Sequence, residues 1–95
     1  IKEFSSEGFK LRIQDVLMDY RQSVLNRRIL IRSAMAILSS KFPQQEMDGF
    51  SICAYSDTEV CISKITRRSN LWVKLDVMTL VEKVERASRL KDIFR

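Results

Sequence analysis

The sequence predicts an α+β fold of order α-β-β-β-α, with a long N-terminal helix and a C-terminal helix packed on one face of a three-stranded antiparallel sheet. Three observations carry this. Residues 9–42 keep a helical period with neither Pro nor Gly, residues 50–75 switch to strand alternation around two polar turns, and residues 77–94 return to a helical period behind a capping aspartate. At 95 residues the chain is one domain, 1–95, and its 45% hydrophobic and 31% charged residues, with 2 Gly and 1 Pro, are those of a packed domain rather than a low-complexity chain.

The first helix, Phe9 to Phe42, is stopped by Pro43. At roughly 100° per residue, Ile13, Val16, Leu17, Tyr20, Val24, Ile31, Ala34, Met35, Leu38 and Phe42 fall in one sector, the expected core stripe. Met18, Leu25, Ile29 and Ala36 collect on the opposite side. One small sheet cannot cover both faces, so the second stripe is expected to meet another helix or another chain, as a homodimer or a heteromeric subunit. A helical hairpin broken near Asn26 to Arg28 is the alternative.

After the connection from Pro43 to Gly49, Phe50, Ile52 and Ala54 alternate with Ser51, Cys53 and Tyr55 as a half-buried strand. Ser56 to Glu59 form a turn, and Val60 to Thr66 return as a second strand, giving a hairpin. If Val60 and Ile62 face the same side as Ile52, Cys53 and Cys61 share the other face, with a register that hangs on the turn length. Arg67 to Asn70 make a second connection, and Leu71, Val73 and Leu75 alternate with Trp72 and Lys74 in a third strand. The last helix, 77–94, has Asp76 as its N-cap and a stripe of Val77, Leu80, Val81, Val84 and Ala87. Glu82 with Arg86 and Glu85 with Arg89 have the acid-first spacing of a helix ion pair.

The chemistry that is missing narrows the function. Histidine is absent, which removes the Ser-His and Cys-His nucleophile pairs and the commonest zinc ligand. Gly8 and Gly49 are too few for a P-loop or a dinucleotide fingerprint, and Cys53 and Cys61 cannot complete a zinc site without histidine. These two cysteines read as free structural thiols. No cofactor is expected, and the expected class is not an enzyme. The best enzymatic alternative is a metal-dependent nuclease using Asp57, Glu59, Lys64 and Lys74, but Trp72 stands where a carboxylate is wanted. Glu46, Asp48 and Asp57 read instead as loop and turn residues.

No run approaches the roughly 18 apolar residues of a membrane span, and charges fill the first ten residues, where a signal peptide needs an apolar stretch. With the low cysteine count this predicts an intracellular protein of cytoplasm or nucleus with no membrane partner, although a chain beginning at Ile1 leaves a removed leader open.

Charge points to the partner. Lys and Arg number 17 against 12 Asp and Glu, for a net charge of +5 and a bias toward polyanions or acidic proteins. Arg21, Arg28 and Arg32 share one flank of the long helix, where guanidinium forks can reach successive phosphates or the carboxylates of an acidic surface. A solvated, solubilising face has the same composition. Arg27, inside the apolar stripe, marks the end of a core layer, pairs with a buried acid, or faces a partner. The loop Arg67, Arg68, Ser69, Asn70, flanked in sequence by Lys64 and Lys74, has the donors that track a phosphate backbone, and is equally the composition of a plain solvated loop. Tyr55, Ile65 and Trp72 with Lys74 give the outer sheet face an aromatic and basic character suited to a base or a protein anchor.

The element order is also that of double-stranded-RNA-binding domains, but their residues are missing. Where that family has a lysine-rich run opening its second helix, Lys74, Leu75, Asp76, Val77 and Met78 stand here, and no histidine is available for its strand loop. No family follows from the order alone. The reading is a basic, non-enzymatic module that dimerises through its long helix and binds an acidic partner, nucleic acid first. Its rival is a protein interaction adaptor working through Met18, Leu25, Ile29 and Ala36.

Overall fold

The computed structural model describes the backbone from Ser6 to Arg95 and the side chains from Gln14 onward except Val16, so Ile13 and Val16 of the predicted stripe lie outside the described side chains. The elements are α1 (Ser6–Ser39), α2 (Gln44–Met47), β1 (Ser51–Ala54), β2 (Glu59–Ile65), β3 (Asn70–Asp76), α3 (Val77–Arg86) and a final 3₁₀ turn (Leu90–Phe94). The α+β architecture is the predicted one. Among the described residues no helix is long and apolar enough to cross a membrane.

α1 is a single uninterrupted rod, not a hairpin, which starts at Ser6 and ends at Ser39 rather than running 9–42. Its 34 residues span about 51 Å at 1.5 Å each, whereas a seven-residue strand covers about 23 Å, so the helix outruns the sheet. The molecule is accordingly 62 Å long and 28 by 20 Å across. Its radius of gyration of 18.9 Å exceeds the roughly 12 Å of a compact domain of this length. The mismatch corrects the core stripe. Ala34, Leu38 and Phe42 are buried, but Leu17 and Tyr20, on the overhang, are about half exposed or more; Met35, over the core but at the edge of the stripe, is also half exposed. Every described side chain from Gln14 to Gln22 is exposed, and Ser23 is the first to be partly covered.

The sheet is an antiparallel meander in the order β1-β2-β3, with Ile52 opposite Ile62 and Ile62 opposite Val73. Strand alternation therefore puts Ile52, Ala54, Val60, Ile62, Val73 and Leu75 on the helix-facing side. Val60, Ile62 and Leu75 join Leu38, Leu80, Val84, Leu90 and Ile93 in one core under α1 and α3. Cys53 lies directly opposite Cys61 on the other face, both thiols free, the first exposed and the second buried.

α3 begins as its sequence dictates, with the Asp76 carboxylate accepting the Thr79 N–H at 2.7 Å. It ends eight residues before the predicted Phe94. Lys41 Nζ, from just beyond α1, donates to the carbonyls of Val84 (2.7 Å) and Glu85 (3.1 Å), the acceptors that Ser88 and Arg89 N–H would need to continue the helix. Those two N–H groups go instead to the Asp92 carboxylate. With Ala87 and Arg89 extended, Glu85 and Arg89 lose their helical spacing. Neither predicted pair on this helix closes: the ion pair among the described residues is Arg27 with Asp57.

Candidate nucleic-acid interface

The predicted basic residues separate into four groups. Arg21, Arg28 and Arg32 are exposed and, at 100° per residue, fall within a sector about 40° wide on one flank of α1. They lie beside the second apolar stripe, where Met18 is 63%, Leu25 50% and Ile29 61% exposed and Ala36 is open as well. Among the described residues none of the three arginines has a carboxylate within ion-pair distance.

Arg27 pairs with an acid of its own chain, but the acid is half exposed and not the expected buried one. Arg27 Nε donates to Asp57 Oδ1 at 3.1 Å, and Ser23 Oγ donates to the same oxygen at 2.7 Å. Asp57 sits at the tip of the β1–β2 hairpin, where Ser56 Oγ accepts the N–H groups of Thr58 and Glu59 and sets the turn. The hydrogen bonds from Ser23 and then Arg27 hold the Asp57 carboxyl below the usual aspartate range. Arg27 thus pins the hairpin tip to α1, on the sheet side and away from Arg21, Arg28 and Arg32.

Arg67 and Arg68 occupy the centre of the tight β2–β3 turn, both exposed. The turn is closed by Thr66 N–H to Ser69 O (2.9 Å), Thr66 Oγ1 to Ser69 O (2.7 Å) and Ser69 N–H to Thr66 Oγ1 (2.9 Å). No described residue other than Gly49 has a positive φ, so the primed turns usual in tight hairpins are not used here. The Thr66 hydroxyl bonds both backbone groups of Ser69 and so fixes the turn that carries Arg67 and Arg68. That turn lies at the other end of β2 from Asp57, about 23 Å along the strand, so the structure does not join it to the Arg27 region.

Lys64 and Lys74 sit on opposite sheet faces. Lys64 faces the helices, its ammonium 4.8 Å from the centre of the Phe50 ring. Lys74 is on the open face, 4.5 Å over the Tyr55 ring, which meets Trp72 edge-on at 6.3 Å. Strand parity carried that signal: Lys64 shares the parity of Val60 and Ile62, Lys74 that of Trp72. The open face does gather Tyr55, Trp72 and Lys74, with Ile65 81% exposed. Cys61 lies in the same layer, and burial first, then the neighbouring Cys53, pushes its thiol pKa up.

The carboxylates form no cluster with these groups. Asp57 is engaged by Ser23 and Arg27, Glu46 accepts the Leu90 N–H at 2.8 Å, and Asp48 accepts from Gln44 at 3.0 Å. Among the described residues no three His, Cys, Asp or Glu side chains gather as metal ligands. Sequence reading missed the anchoring role of Asp57 and the helix-ending role of Lys41, since both depend on contacts 30 or more residues apart in the chain. The chain matches no family model, no curated protein and no solved structure.

Proposed function

We propose that the protein is a non-enzymatic binding module that self-associates through α1 and holds a polyanion, nucleic acid first, against its arginines. The observation that carries this is the exposed flank of Arg21, Arg28 and Arg32, free of carboxylates among the described residues, on a helix that projects past its own domain. Guanidiniums on a rigid rod, spaced seven and four residues apart, lie about 10 and 6 Å apart along the axis, a spacing that suits phosphates on a backbone and needs no base-reading motif. The Arg67–Arg68 tip is a second contact point of the same kind.

The test is a fluorescence-anisotropy titration with DNA and RNA oligonucleotides at rising salt. Affinity falls steeply with salt in the wild type, and Arg21→Gln with Arg28→Gln weakens it about tenfold or more. Salt-independent affinity, or a double variant that binds as the wild type does, overturns the reading. A second reading is favoured by the exposure of Met18, Leu25 and Ile29: an adaptor whose functional surface is the apolar stripe itself. For the adaptor, Leu25→Asp with Ile29→Asp abolishes partner capture, and the arginine variants leave it intact.

A further inference from the structure

The outward stripe of α1 has an internal symmetry that names its occupant. Seven positions, Asp15, Met18, Gln22, Leu25, Ile29, Arg32 and Ala36, follow one another at spacings of three and four, all exposed and opposite the buried Ala34 and Leu38. This is the alternating seam of a two-helix coiled coil. A two-fold axis midway between Ser23 and Val24 sets Met18 against Ile29 of a second copy, Gln22 against Leu25, and Asp15 against Arg32. We infer that α1 pairs with α1 of a second copy, antiparallel about this point, along the face it turns away from its own sheet. The inference deepens the self-association proposed above and rests on it.

Three features support this arrangement over other occupants. Met18 meets Ile29, apolar on apolar, and the two charged seam residues meet with opposite sign, each twice per dimer. A parallel pair would set Asp15 on Asp15 and Arg32 on Arg32 and forfeit both contacts. Each domain body packs on the opposite side of its helix, so the two bodies lie outside the pair and leave the seam clear. Gln22, bonded to Asn26 at 3.0 Å, gives the centre a polar position that fixes register.

Pairing also builds the anion surface. Arg32 is taken up by Asp15 of the second copy, which leaves Arg21 and Arg28 as the anion-binding part of the flank: both lie on one side of the seam, and the two-fold axis gathers the four guanidiniums of both copies within about 14 Å along the helix axis. Their mutual repulsion opposes the dimer, so a polyanion that neutralises them tightens it, and by linkage dimerisation tightens polyanion binding.

The experiment is charge exchange across the seam, read by analytical ultracentrifugation of the full chain without nucleic acid. Asp15→Arg and Arg32→Asp each weaken the dimer about tenfold or more, and the double variant Asp15→Arg/Arg32→Asp returns to near wild-type affinity because the pair is restored in reverse. Both sites are exposed, and circular dichroism confirms that each variant keeps its fold. A wild type that stays monomeric to about 100 µM, single variants that dimerise normally, or a double variant no better than the singles overturns the antiparallel seam. Rescue in a protein that ignores oligonucleotides upholds the seam and removes the polyanion reading alone.

Discussion

Asp57 joins two elements through one carboxylate oxygen, which takes both the Ser23 hydroxyl and the Arg27 guanidinium. Its pKa is lowered in the folded state, so its contribution to stability is complete above the ordinary aspartate value of about 3.9 and is lost as the pH falls through the lower folded value. Asp57→Asn is therefore expected to loosen the hairpin tip at pH 7, seen as faster amide exchange at Thr58 and Glu59, and to make little difference once the wild-type carboxyl is protonated. Equal exchange in both proteins at pH 7 would show that the anchor is idle. The two thiols give a second residue-scale expectation: Cys53 is open, whereas Cys61 is covered and its thiol pKa raised. Maleimide labelling at pH 7 should modify Cys53 first by a wide margin, with Cys61 following only on unfolding.

The end of α3 shows how elements set one another's bounds. Lys41 takes the Val84 and Glu85 carbonyls, and Asp92 takes the next two N–H groups, so the chain leaves the helix at Ala87. Lys41→Met keeps the aliphatic stem and removes the donors. It is expected to lower stability by about 1 kcal/mol in a denaturant titration and to raise exchange in the last turn of α3. The meander, the alternation along each strand and the Asp76 cap were legible in the sequence because alternation and capping act over a few residues; the register that sets Cys53 against Cys61 was not, because it depends on the turn length. The end of α3 was not, since Lys41 lies 43 residues from Val84, and the Asp57 anchor was hidden for the same reason. At the site, the Arg21, Arg28 and Arg32 flank followed from helical period alone. Grouping Lys64 with Lys74 by nearness in sequence ignored the strand parity that puts them on opposite faces.

As a whole molecule, the protein is a small two-layer domain on a helix longer than its sheet. The overhang leaves Leu17, Met18 and Tyr20 in solvent at 47%, 63% and 67% exposure, and the far face adds Leu25 and Ile29. In the proposed dimer, a second copy laid antiparallel would cover the Met18, Leu25 and Ile29 face and concentrate arginines beside it, linking assembly to the net charge of +5. Assembly and polyanion binding are read together by light scattering after size exclusion, at low and high salt, with and without a mixed DNA and RNA oligonucleotide probe. The expected result is a dimer that takes up the probe at low salt and releases it at high salt. A dimer that ignores the probe at every salt concentration, or a monomer throughout, contradicts it.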